Sequence, residues 1–205
     1  MHVALIYMAS GRGRRFGSNK LLADLNGRPL YQYGFRALQQ AVREMAVRGV
    51  AGHILVVSPY QEIRVWCCRR GALVYDNPQA DEGIAASIRI GTERSAGVDA
   101  LAFFVADQPL LRGRTIACFL AGFAASGKPL GAMTNTGRPG NPAVFLSAYR
   151  TELAGLRGDT GGCSLLLAHE DDLWRFAVPP EQLIDVDWTD DLIRLKTNFN
   201  SKHDI

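Results

Sequence analysis

The sequence predicts an α/β fold in which a mostly parallel central sheet is flanked by helices, and three observations predict it. Residues 3–8 (VALIYM), 53–58 (HILVVS) and 101–106 (LAFFVA) are continuous apolar runs, the pattern of parallel strands covered on both faces. Helical periodicity lies between those runs. Each run then leads into a loop carrying glycine, proline or a carboxylate, at the strand ends where open parallel sheets bind ligands. Strand–helix–strand order implies right-handed crossovers, so the residues after Met8, Ser58 and Ala106 should meet at one edge.

The elements follow in order. After the first strand comes Ala-Ser-Gly, the start of a loop. Pro29 opens a helix whose Tyr31, Phe35, Leu38, Val42 and Met45 recur by four and three and form one face. The second strand is followed by a helix over about 61–70, a short strand at 72–75, and a turn-rich stretch from Asp76 to Gly83. Ile84, Ser87, Ile88 and Gly91 mark the next helix, before the third strand at 101–106. The second half is less regular, with strands expected at 142–146 and 173–178 and helices at 115–125, 164–169 and 189–197. No repeat, low-complexity tract or Pro/Ser-rich linker interrupts the chain, and 205 residues suit a single domain over 1–205.

Composition narrows the classes of function. Apolar residues are 47% and charged residues 21%, as in an ordinary globular protein. The first apolar run is too short to span a membrane, and its arginines follow it, the reverse of a signal peptide. A net charge of +3 does not argue for nucleic acid. Cys67, Cys68, Cys118 and Cys163 form neither a C-x-x-C motif nor a disulfide framework, and read as reduced thiols in the cytoplasm, mostly filling the core. His2, His53, His169 and His203 are dispersed and read as structural or surface residues rather than a ligand set.

The loop after the first strand, Gly11 to Lys20, is suited to an anion. Gly11, Gly13 and Gly17 let backbone N–H groups approach a ligand, while Arg15 and Lys20 add positive charge. A P-loop is excluded because Gly17 and Lys20 are three apart, and a dinucleotide fingerprint because Phe16 stands in place of its third glycine and the second strand ends in Ser58-Pro59. What remains is G-x-G-x-R with a lysine five residues on; the alternative is a solvated Arg-rich turn.

The strand at 101–106 delivers Asp107, followed by Gln108 and Pro109. A carboxylate there suits a magnesium ion that keeps water and phosphate oxygens as its other ligands. Asp187, in the run Asp185-Val186-Asp187-Trp188, is the second candidate. Structural alternatives stay open: a turn-forming or capping role for Asp107, and an N-cap of the last helix for Asp187. Asp190 and Asp191 suit the first turn of that helix.

Several patches in order resemble the MobA/MocA-like nucleotidyltransferases, and within them the molybdenum cofactor cytidylyltransferases. They are Met8-Ala9-Ser10-Gly11 through Lys20-Leu21-Leu22; Asn77-Pro78 with Gly83 and Ser87-Ile88; Asp107-Gln108-Pro109; and Gly137-Arg138-Pro139-Gly140-Asn141-Pro142, followed by Gly158-Asp159-Thr160-Gly161-Gly162. The resemblance implies a Rossmann-like nucleotidyltransferase fold. It implies a triphosphate, CTP by preference, held by Ala9, Ser10, Gly11, Gly13, Arg15 and Lys20, with Asn77, Gly83 and Ser87 beside the nucleotide. It implies Mg2+ on Asp107 and Asp187, and catalytic roles for Arg15, Lys20 and Asp107. Gly140, Asn141, Pro142, Asp159 and Gly161 would face a phosphorylated molybdopterin, and a molybdenum hydroxylase apoenzyme would receive the product. The chain departs from the pattern at Ser10, where cytidylyl enzymes usually carry Ala and guanylyl enzymes Gly; at Asn141, where His is common; and at Trp188-Thr189, where Thr-Pro is usual.

The implied reaction joins an acceptor phosphate to the α-phosphorus of the triphosphate and releases pyrophosphate, a task of positioning and charge neutralisation. Transfer to a sugar phosphate or another small phosphorylated acceptor, and a non-catalytic nucleotide-binding assembly factor, are the competing expectations.

Overall fold

The computed structural model describes residues 1–200 apart from Arg12, Arg14, Arg15, Ser18, Thr136 and Arg138, and apart from the side chains of residues 198–200. Its main sheet is built around the interior strand β1 (His2–Met8). On one side β1 pairs in parallel with β4 (Ala51–Val57), and on the other with β6 (Ala100–Val105). A two-stranded hairpin, β2 (Asp24–Leu25) and β3 (Arg28–Pro29), lies apart from this sheet. With β5 (Leu73–Tyr75), β7 (Leu130–Thr134), β8 (Ala143–Leu146) and β9 (Leu173–Ala177) the main sheet has seven strands in the order β5-β4-β1-β6-β8-β7-β9. Only β8 runs against its two neighbours.

Alternate side chains of β1 enter two separate cores. Val3, Leu5 and Tyr7 pack with Phe35 of α1 (Tyr31–Val47), Ile63 of α2 (Gln61–Cys68) and Phe119 of α4 (Gly113–Ser126). Ala4, Ile6 and Met8 pack with Ile88 of α3 (Ile84–Glu93), Leu153 of α5 (Arg150–Gly155) and Leu166 of α6 (Cys163–Ala168). A strand covered on both faces needs no polar side, which is why 3–8 reads as unbroken apolar sequence.

A third, smaller cluster joins sequence ends. Leu25 and Leu30 from the hairpin region pack on Val186 and on Leu192 and Leu195 of α7 (Thr189–Asn200). That contact fixes the segment carrying Asp187.

The hairpin strands β2 and β3, strand β7 and helix α5 lie outside the expected set. Strand β7 reads Leu-Gly-Ala-Met-Thr, with little of the β-branched and aromatic content that marks strands. Its Gly131 is required by packing: a Cβ there would stand 2.8 Å from Phe123 and 2.9 Å from Val144. Helix α5 has six residues, too few for periodicity to show. None of these elements alters the mostly parallel, helix-flanked sheet that the sequence predicts.

Candidate active site

The three loops expected at one sheet edge do meet there. Met8 is opposite both Val57 and Val105, so the residues after β1, β4 and β6 emerge side by side. Local hydrogen bonds fix the first loop. Ala9 N–H donates to Val57 O at 2.9 Å, Ser58 Oγ donates to Ala9 O at 2.7 Å, and Tyr60 OH donates to Gly11 O at 3.2 Å. Ser58 and Tyr60 thus support the glycine loop, although the only sequence signal for either was a strand ending in Ser-Pro.

A cleft of about 420 Å3 opens at this edge. Ser10, Gly11, Gly13 and Lys20 line it from the first loop, and Asp107 and Asp187 from the far strand and the C-terminal segment. Gly83, Ser87 and Asp159 form the opposing wall together with Asp81 and Glu82, two residues the sequence reading did not single out. The Arg89 guanidinium lies 3.1 Å from the Glu82 carboxylate.

Ala9 and Asn77 sit behind the cleft wall, both fully buried. Asn77 Nδ2 donates to Ser10 Oγ and to Ser87 Oγ, each at 3.1 Å, and so ties the first loop to α3. Ser10 Oγ in turn donates to Val57 O at 3.3 Å. The Asn77 Oδ1 atom has no hydrogen-bond partner among the described residues.

At the other end of the cleft Lys20 Nζ lies 2.7 Å from Asp107 Oδ2 and 2.8 Å from Asp187 Oδ1. The Lys20 side chain is only 7% exposed, against 50% for Asp187. Burial alone would lower the lysine pKa, but the charges and hydrogen bonds of Asp107 and Asp187 outweigh it and hold the ammonium above its ordinary value. Asp185, which keeps solvent contact, has its carboxyl pushed up to about 6, first by burial and then by the Asp107 and Asp187 charges, while a Gln108 hydrogen bond acts in the opposite direction.

The structure sets aside the capping reading of Asp187. The side chain that reaches back over the start of α7 is that of Asp191, whose Oδ2 accepts from the Asp187 and Trp188 N–H groups at 3.1 and 2.8 Å. Trp188, not Asp187, precedes the helix, and the Asp187 carboxylate turns to Lys20. Val186 N–H donates to Asp107 O at 2.9 Å, which brings the two carboxylates to one place.

Those two carboxylates fit a hard divalent cation. Both present oxygen donors, both already share one cation, and Asp107 Oδ1 is buried with no hydrogen-bond partner among the described residues. Among the described residues no group of three or more His, Cys, Asp or Glu is placed to hold a metal. A cation here needs further oxygens from a ligand or water.

Arg15 lies outside the described residues. Gly140, Asn141, Pro142 and Gly161 do not line the cleft. Cys163 Sγ lies 3.3 Å from Pro139 O and joins their two loops, and Gly161 backs Ile84, which does line the cleft. Strand β8 begins at that same edge, since Ala143 pairs with Phe103 near the end of β6 and with Ala132 of β7, while the 158–162 loop lies between α5 and α6 and reaches the cleft through Asp159. The cysteines are corrected as well. Only Cys67 is buried, with its thiol pushed up to about 12 mainly by that burial, while Cys68 and Cys163 are exposed. The expected dispersal of histidines is broken by one pair, His2 Nε2 and His53 Nδ1, 3.1 Å apart at the opposite end of β1.

Residues 5–173 match the family described as the MobA-like NTP transferase domain. The chain belongs to that family. This MobA-like transferase is therefore a nucleotidyltransferase. No curated protein matches the sequence. Solved structures share the fold at low identity. The CMP:2-keto-3-deoxy-manno-octonic acid synthetase complexed with CTP is 13% identical, with 98% of this chain and 99% of that one covered and a TM-score of 0.72. Molybdopterin-guanine dinucleotide biosynthesis protein A from Archaeoglobus fulgidus is 16% identical, covering 98% and 100%, with a TM-score of 0.69. Rv0371c from Mycobacterium tuberculosis, in complex with manganese, is 18% identical, covering 95% and 97%, with a TM-score of 0.68. Among the described residues no helix is long and apolar enough to cross a membrane.

Proposed function

We propose that this transferase moves CMP from CTP to the phosphate of a molybdopterin-type acceptor, with Mg2+ as its cofactor and pyrophosphate as the second product. One observation carries the reading: Asp107 and Asp187 share a buried cation at the strand edge where the glycine loop begins. The four free cysteines suit a reducing compartment, and we place the reaction in the cytoplasm.

In this reading the N–H groups of Gly11 and Gly13 face the triphosphate, and Lys20 donates to its oxygens. Asp107 and Asp187 hold the metal, with remaining positions left to phosphate oxygens and water. When bound, the cation supplies charge neutralisation as a Lewis acid. An acceptor phosphate oxygen forms a bond to the α-phosphorus while the bond from that phosphorus to the β-bridging oxygen breaks, and pyrophosphate departs with the electron pair. The attacking phosphate is already ionised, so no general base is required. Lys20 stabilises the charge that develops on the leaving group. Ser10 supports cytosine over guanine, because its side chain, held by Asn77 and Val57, fills space beside the loop that a glycine would leave open.

Asp159 faces the cleft from the wall opposite the glycine loop and is the acceptor contact we assign. Asn141, standing where His is common in the pterin-acceptor loop, favours a second reading in which the acceptor is a sugar phosphate. Both readings are tested by a matrix of the four common triphosphates against molybdopterin, its molybdenum form and several sugar 1-phosphates, scored by pyrophosphate release. The expected outcome is a higher kcat/KM for CTP than for GTP and turnover with the pterin acceptors; turnover confined to sugar 1-phosphates would sink the pterin assignment. Asp159→Ala should raise the acceptor KM and leave triphosphate affinity nearly unchanged, and an equal loss of both would move that loop to the nucleotide.

A further inference from the structure

Lys20 occupies the place where a divalent cation would be needed. Its ammonium sits within 2.8 Å of one oxygen from each of the two carboxylates assigned to the metal. Magnesium bonds such oxygens at about 2.0–2.1 Å, so an ion binding both and the Lys20 ammonium compete for the same space. They also repel each other, and in a partly desolvated cleft that repulsion is weakly screened. The side chain is 7% exposed, which makes this a seated ion pair rather than a loose surface contact.

The lysine has somewhere to go. Its main chain is fixed by the turn at Lys20–Leu22, where Asn19 Oδ1 accepts from Leu21 N–H at 3.1 Å and Ala23 N–H donates to Lys20 O at 3.1 Å. Its stem runs beside the glycine loop, close enough that a Cβ on Gly11 would lie 3.8 Å from Lys20 Cε. Rotation about the terminal side-chain bonds therefore carries the ammonium from the carboxylates toward anions on that loop, with no shift of backbone. With Lys20 in place, Asp107 Oδ1 still lacks a partner among the described residues. The carboxylate retains capacity for an additional ligand.

We propose that Lys20 is a built-in substitute for the divalent cation: it neutralises Asp107 and Asp187 in the free protein, moves to the phosphates when a triphosphate binds, and thereby releases the carboxylates to the metal. The inference rests on the assignment of Asp107 and Asp187 as metal ligands. Its consequence is a coupling: metal alone binds weakly because it must displace an ammonium that has no other anion to hold, whereas triphosphate supplies that anion. By linkage the metal strengthens triphosphate binding by the same factor.

The test is Mn2+ binding to the full-length protein, followed by the EPR signal of free Mn2+, with and without α,β-methylene CTP. Lys20→Met should bind Mn2+ alone at least about tenfold more tightly than the natural protein, within the usual range of coupling between sites. Lys20→Arg, which keeps the charge, should stay as weak as the natural protein. Thermal melts establish that each variant is folded, and Lys20→Gln takes the place of Lys20→Met, with the same expectation, if the latter does not melt cooperatively. A neutral variant that binds Mn2+ no more tightly than the natural protein overturns the proposal, as does an arginine variant as tight as the neutral one. Failure of the metal assignment has a different signature: Mn2+ bound in the presence of the analogue would be unaffected by Asp107→Asn.

Discussion

At the scale of single residues, one end of the cleft pairs a nearly buried lysine with two carboxylates. Asp107 leaves a buried parallel strand, and its Oδ1 is buried without a partner among the described residues. Asp107→Asn keeps the shape and removes the charge, so turnover and metal affinity should fall together and extra Mg2+ should partly restore turnover. Lys20→Ala should behave differently. Loss of one preorganised donor costs about 3 kcal/mol, or roughly a hundredfold in kcat, and extra Mg2+ should not recover it. The measurement is kcat against magnesium for both variants; near-normal activity of Asp107→Asn at low magnesium would show that this carboxylate is not the anchor. Asp107 and Lys20 were both legible in the sequence, because each sits at a set distance from an apolar strand. Their contact with each other was not, since the two residues stand 87 positions apart in the chain.

At the scale of elements, the start of α7 and the turn before α3 are the most exacting. Asp191 supplies the reaching-back half of a capping box to the N–H groups of Asp187 and Trp188. Asp191→Ala should cost about 1 kcal/mol of stability and also weaken metal binding, because it frees the backbone that aims Asp187 at Lys20; a melt that drops with unchanged Mn2+ affinity would separate the cap from the site. Gly83 has φ +97°, and a Cβ there would meet the Gly158 backbone and Asp159 Oδ1 at 2.5 Å. Gly83→Ala therefore combines backbone strain of about 1–3 kcal/mol with displacement of the 158–159 loop. A lowered melting temperature and a raised acceptor KM are expected, and unchanged values for both would show that the loop yields without cost. The sequence marked this stretch as turn-rich; only the packed neighbour explains why the residue must be glycine.

At the scale of the whole molecule, the two-carboxylate end of the cleft brings together residues from near both ends of the chain and Asp107 from its middle. Leu192 of α7 packs with Leu25 and Leu30 near the hairpin, and that cluster, together with the Val186 to Asp107 hydrogen bond, holds Asp187 in place. Leu192→Ala should cost about 2 kcal/mol, a fall of roughly 4–8 °C in Tm for a chain of this size, and should reduce Mn2+ affinity although the side chain touches no ligand. Scanning calorimetry with a parallel Mn2+ titration checks both, and intact metal affinity at a lowered Tm would show that the cluster does not position Asp187. The sequence by itself determined the α/β class, the central strands and the glycine loop, because strands buried on both faces and a ligand loop directly after one of them leave local, period-dependent signatures. It also marked Asp107, since a strand end is read from its own neighbours. The tertiary structure alone decided that Asp187 faces Lys20 rather than capping its helix, that β8 runs antiparallel, and that Gly131 belongs to a strand. Each of those outcomes is set by contacts between segments far apart in the chain, where the energy lies in packing and in charge pairs that no local pattern encodes.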